Sequence, residues 1–139
     1  MKETTQSMTI EKLENYKGLV AEMRSLKESI DSLYNTYRSP QLMSDGGSHS
    51  MNTGSPTENA VNKILKLKKI YNNKRSEATD LLLEVEAWLS TVDDPEIRSI
   101  ARFHYVLGYS WQRTNAAVYG YLSYYAARKR LMRYLGKEA

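Results

Sequence analysis

The chain has 139 residues, no cysteine, two histidines and 20 Lys and Arg against 16 Asp and Glu, for a formal charge of +4. That length allows one domain, or one small domain with a helical extension, and the lack of cysteine removes disulfides, thiolate nucleophiles and Cys-based zinc sites. Three Pro, seven Gly and a single Phe argue against a turn-rich all-β protein.

Residues 9–37 form the first predicted element. Leu13, Tyr16, Val20, Met23, Leu26, Ile30, Leu33 and Tyr37 recur at spacings of three and four, which is one face of a helix, with Thr9 as its N-cap. Such a helix is too long for one element of a small compact core. Residues 38–54 (RSPQLMSDGGSHSMNTG) have no periodicity and read as a flexible loop.

A second helix is expected to open on a capping box, with Ser55 at N-cap, Pro56 at N1 and Glu58 at N3. Its register runs Ala60, Ile64, Leu67, Tyr71, Lys74, Ala78, Leu81, Val85, Trp88, Val92, a coiled-coil seam with Lys74 as a polar interruption. An antiparallel hairpin with the first helix is the simplest arrangement; a homodimer or higher oligomer through the same seam is the alternative. Domain boundaries follow at 9–92 for the hairpin and 93–139 for what comes after.

Asp94 and Pro95 end the second helix and start a third, with Asp94 as N-cap. Residues 95–107 should be helical up to Gly108. Ser110 can cap a helix over 111–118 that stops near Gly120, and a last helix is expected from Ser123 to Leu135, closed by Gly136. Three short helices, the last two joined by a tight turn, outline a helix-turn-helix unit. The fold class is therefore all-α: a long two-helix coiled-coil hairpin followed by a three-helix helix-turn-helix unit.

Charge is unevenly placed along this plan. From Pro95 onward there are eight basic residues and two acidic ones, whereas the first 94 residues carry 12 basic and 14 acidic. Seven of the eleven tyrosines also lie after residue 100. A basic, aromatic end on a near-neutral front half is the asymmetry of a nucleic-acid binder, with a solubilising surface as the plain alternative.

On the last helix, Ala127, Leu131, Tyr134 and Leu135 share a stripe that should face the core. The opposite face carries Tyr125, Lys129, Met132 and Arg133, flanked by Arg128 and Arg130. In a helix-turn-helix the second helix enters the major groove with its N-terminal residues toward base edges. Ser123 lies at that end, and Lys129 and Tyr125 are then the candidate base readers. Arg113, Arg128, Arg130 and Arg133 are candidate phosphate contacts, which give affinity without sequence information. The tyrosines at 119, 121, 124 and 125 fit a protein-binding patch equally well. Trp111 is expected in the core and His104 at a helix surface or boundary. Asp93 and Asp94 read as capping residues.

Residues 94–135 (DPEIRSIARFHYVLGYSWQRTNAAVYGYLSYYAARKRLMRYL) also resemble a group of short proteins from bacteriophages and prophages of Gram-positive bacteria. The C-terminal half of those proteins is similar to the DNA-binding region 4 of bacterial sigma factors. The shared features are the DPE-x-R helix start, the aromatic junction with His104, Tyr105, Val106, Gly108, Ser110 and Trp111, and a final R-x-R-L-x-R-Y-L helix from Arg128 to Leu135. The front half, two coils with a loop carrying SP and SDGG elements, is similar too. Thr114 and Asn115 stand where that pattern has a branched residue and Ala, and Tyr119, Gly120, Tyr121 and Leu122 replace its Gly and polar turn residues. The resemblance implies a sigma-like transcriptional regulator acting in the bacterial cytoplasm, with double-stranded DNA and RNA polymerase as partners.

No catalytic constellation is visible: no Gly-rich phosphate loop, no Cys/His dyad and no metal-ligand spacing, so neither an enzyme nor a cofactor or metal is expected. No apolar run approaches the roughly 18–20 residues of a membrane helix, and the N-terminal MKETTQSMT lacks a signal-peptide core; no membrane partner is expected. The leading expectation is a DNA-binding phage-type regulator. The alternatives are a small terminase-like DNA-packaging subunit and a protein-binding inhibitor or adaptor that uses the tyrosines.

Overall fold

The structure is a computed structural model that describes residues 8–38 and 55–136. The described residues are all-helical: α1 (Ile10–Arg38), α2 (Ser55–Leu89), α3 (Pro95–Ala101, continued by a single π-helical turn Arg102–Val106), α4 (Trp111–Tyr119) and α5 (Ala126–Tyr134). The loop expected at 38–54 lies, beyond Arg38, outside the described residues, as do the side chains of Ser55 and Pro56 in the expected capping box. The chain divides into two compact units, Val20–Glu77 and the pair of segments Met1–Leu19 and Ala78–Ala139.

In the unit Val20–Glu77, α1 and α2 pair along the faces read from the sequence. Ile30, Ala60 and Ile64 are buried, and Val20, Met23, Leu26, Leu33, Leu67 and Tyr71 are half-buried. Glu22 meets Lys74 at 3.5 Å, and Tyr34, further along α1, accepts a hydrogen bond from Lys68 at 3.0 Å. Partner numbers fall as α1 rises, so the helices run antiparallel. Lys74 interrupts the seam by keeping its stem on the apolar face while its ammonium reaches Glu22, the snorkelling expected of lysine at such a position.

The other unit holds the core. Met8 and Leu13 from the N-terminal segment, Val85 and Leu89 from the end of α2 and Val92 just after it are buried together with Ile97, Ile100, Ala101, Tyr105, Trp111, Ala127, Leu131 and Met132. The compact unit thus takes in more than residues 93–139: it includes the first turns of α1 and the last turns of α2. Each fully buried Leu or Ile there contributes about 1.5–3 kcal/mol, and three helices of seven to nine residues gain most of their stability from this burial rather than from propensity.

Caps set the helix limits. Thr9 Oγ1 accepts from the Lys12 amide at 3.1 Å, Asp94 Oδ1 from the Glu96 amide at 2.9 Å and Ser110 Oγ from the Arg113 amide at 3.0 Å. These are the N-caps the sequence predicts. The helix expected over 95–107 instead widens after Ala101 into one π turn, closed by the Leu107 amide on the Arg102 carbonyl at 2.8 Å. Gly108 (φ +81°) then ends it in the left-handed conformation.

His104 and Tyr105 are both buried on this turn. That corrects the expectation of a surface or boundary position for His104. Its ring stacks on Trp111 with centroids 3.7 Å apart, and Nδ1 donates to the Tyr109 carbonyl at 2.7 Å. Stacking satisfies the imidazole faces and the carbonyl satisfies one nitrogen, so a polar residue is accepted inside.

Candidate nucleic-acid interface

The face of α4 that packs inward carries Trp111, Thr114, Asn115 and Val118. A sequence reading by hydrophobicity passes over two polar residues in the middle of this stripe, yet Thr114 and Asn115 are fully buried. Asn115 joins three parts of the motif: its Nδ2 donates to the Tyr121 carbonyl at 2.9 Å, and its Oδ1 accepts from the Ala127 amide at 2.8 Å. The second bond satisfies a first-turn amide of α5, so Asn115 caps that helix from the preceding one.

This clip explains why α5 starts at Ala126 and not at Ser123 as expected. Ser123 Oγ accepts from the Tyr125 amide at 3.2 Å, a local turn that competes with helix formation. The Tyr121 carbonyl is taken by Asn115. The connection from Gly120 (φ +91°) to Tyr125 is therefore longer than the tight turn predicted. Ser123 and Tyr125, both candidate site residues, lie in it ahead of the helix.

Within α5, Ala127 and Leu131 are buried as predicted. Met132, expected on the outer face, is buried too, because α5 packs against both α3 and α4 and its covered stripe is correspondingly wide. Tyr134, expected in the core, is exposed at the rim, its ring 6.5 Å from that of Trp88.

The cations of this region separate into two sets. Arg130, a candidate phosphate contact, is turned toward the scaffold: it pairs with Asp94 and, at 3.3 Å, with Glu96. Glu96 also accepts from the Tyr119 hydroxyl. The same two acids that open α3 thus hold α4 and α5 to it. The guanidinium hydrogen bond, with help from the Glu96 amide, keeps the Asp94 carboxyl below its ordinary range. Burial, followed by the bond to Glu96, pushes the Tyr119 hydroxyl up to about 12.

Lys129 and Arg133 form the other set. They lie four residues apart on α5, opposite Leu131, and both are exposed. Arg128 is half-buried at the flank, its guanidinium 5.6 Å from the centre of the Tyr124 ring. Arg113, exposed on α4, lies 3.8 Å over the Tyr109 ring, and that ring stacks in turn on Phe103 at 5.2 Å. Among the described residues, no carboxylate lies within ion-pair distance of Arg113, Arg128, Lys129 or Arg133. A stacked guanidinium keeps its N–H edge free for an anion.

Beneath this surface, the Tyr105 hydroxyl donates to Glu14 at 2.9 Å, joining the first turns of α1 to the π turn. Burial, then the bond to Glu14, raises the Tyr105 hydroxyl far above its ordinary value. Burial also lowers His104 to about 4, outweighing the opposing effect of its hydrogen bond to the Tyr109 carbonyl.

Among the described residues, no cluster of three or more His, Asp or Glu could hold a metal ion, and no helix is long and apolar enough to cross a membrane. The chain matches no protein-family model, and no curated protein or solved structure is significantly similar to it.

Proposed function

We propose that the unit formed by α3, α4 and α5 binds double-stranded DNA, with α5 in the major groove, and that the protein is a sigma-like transcriptional regulator of the phage type. The observation that carries this reading is the pair Lys129 and Arg133. They are exposed one turn apart on the second helix of a two-helix motif, on the side away from the core, and have no carboxylate partner among the described residues. Lys129 is the base reader nearest the start of the helix, with Tyr125 just before it. Arg133, Arg113 and Arg128 are the phosphate contacts. Arg130 belongs to the scaffold, where it ties α5 to the acids that open α3. The resemblance to sigma region 4 supports promoter DNA as the target and RNA polymerase as a second partner.

Duplex binding by the full chain tests this directly. At about 50 mM salt, where even non-specific contacts persist, the wild type should bind, and affinity should fall as salt rises. Lys129→Ala/Arg133→Ala should bind more weakly. A wild type that does not bind duplex under those conditions refutes the reading, and a double variant that binds as well as wild type refutes the placement of the face.

A further inference from the structure

The connection between α4 and α5 is built from large side chains exposed to solvent. Tyr121 is 55% exposed, Leu122 73%, Tyr124 42% and Tyr125 64%. Turns are ordinarily small and polar, and the core of this unit is already closed by Trp111, Ala127, Leu131 and Met132 without these residues. Folding therefore does not account for them.

Their arrangement is ordered. The Tyr124 and Tyr125 rings meet edge to face with centroids 5.1 Å apart. Tyr121 lies nearly parallel to Tyr119 at 6.3 Å, and Tyr119 is tied to α3 through Glu96, so that pair is anchored to the scaffold. Arg128 lies over one face of Tyr124, and Lys129 follows one residue on. Residues 97–137 contain no Asp or Glu at all. Exposed ring faces beside cations, without a nearby acid, suit one class of partner well: nucleic acid with unpaired bases, whose π faces stack on the rings while its phosphates meet the cations.

We propose that residues 121–125 form a stacking platform for unpaired bases, so that the unit grips a melted or single-stranded segment as well as duplex. This rests on the DNA-binding reading and extends it to a second form of the same polymer. Paired bases hide their faces inside the duplex; only opened ones offer a ring to Tyr121 and Tyr124. Leu122, the most exposed of the group, adds an apolar wedge beside them.

Fluorescence anisotropy on the full chain tests the proposal with three probes: a fully paired duplex, the same duplex with a short unpaired bubble, and the corresponding single strand. The bubble and the single strand should bind more tightly than the duplex, by about tenfold for stacking of one base on one ring. Tyr121→Ala/Tyr124→Ala should abolish that preference. Tyr121→Phe/Tyr124→Phe should restore it, because stacking needs the ring and not the hydroxyl. Equal affinity for all three probes overturns the proposal, as does a preference that survives in the alanine variant. Binding to unpaired probes without duplex binding would leave this proposal standing and remove the duplex reading. Binding to none of the three would remove both and leave the tyrosines as a protein-binding surface.

Discussion

Asn115 donates to the Tyr121 carbonyl and accepts from the Ala127 amide, while being fully buried on α4. Asn115→Ala leaves a buried first-turn amide and a part-buried carbonyl without their partner, at a cost of about 1–3 kcal/mol, most of it from the amide. Urea unfolding followed by helical signal should show a lower midpoint, corresponding to that loss of stability; an unchanged midpoint would mean that water or another group already serves them. The sequence shows Asn115 only as a polar residue at a core position. Its two partners lie 6 and 12 residues away, across a turn whose path no local pattern specifies, so its role is not readable from spacing. Thr114 beside it is buried with no partner for its hydroxyl.

His104 carries a second prediction, on pH. Its imidazole is neutral inside, with a folded pKa of about 4 against an ordinary value of 6.5. The unfolded chain therefore binds the proton more readily, and stability must fall as pH drops. The contribution is complete above about 6.5 and is lost progressively as pH falls toward 4, amounting to about 3 kcal/mol across that window. Unfolding midpoints measured from pH 7 to pH 4.5 should decline in the wild type, and the decline should be shallower in His104→Gln, which keeps a donor for the Tyr109 carbonyl. Parallel declines would contradict the assignment. Spacing alone places this residue at a surface or boundary because histidine has no periodic signature; only the stack on Trp111 reveals the buried position.

Among the elements, the long helices and their caps are the most readable. The residues named by the three-four spacing, from Leu13 and Tyr16 in α1 to Val85 in α2 and Val92 after it, are buried or half-buried, with Tyr37 as the exposed exception; Leu19 and Leu89, also buried, fall outside that spacing. Asp94, Ser110, Gly108 and Gly120 mark helix ends where punctuation predicts them. The start of α5 differs from the prediction because Ser123 looks like an N-cap, while the amide that needs capping is served from α4. The outward stripe of α5 differs for a related reason. A helical wheel distributes residues by angle alone and cannot show that two neighbouring helices cover Met132, or that Arg130 bends back to Asp94 and Glu96. Arg130→Gln should therefore lower the thermal midpoint by loosening α5 from α3, which melting followed by circular dichroism would record. A variant with wild-type melting would show that the clamp contributes nothing to stability.

For the whole molecule, the modest net charge of +4 hides an uneven distribution: residues 97–137 carry no acid, and the acids that flank them at 94 and 96 are spent on Arg130. Among the described residues, the cations of α4 and α5 without a carboxylate partner are Lys129, Arg133, Arg113 and Arg128. In the proposed function, α5 divides its cations: Lys129 and Arg133 serve DNA, and Arg130 serves the scaffold. The most direct measurement is the slope of log affinity against log salt for duplex DNA in three proteins: wild type, Lys129→Ala/Arg133→Ala and Arg130→Gln. Removing one cation that neutralises a phosphate should reduce the slope by about one unit. The slope should therefore fall by about one unit in the double variant, through loss of the Arg133 phosphate contact, and remain at the wild-type value in Arg130→Gln. A slope that falls in Arg130→Gln but not in the double variant would contradict the account.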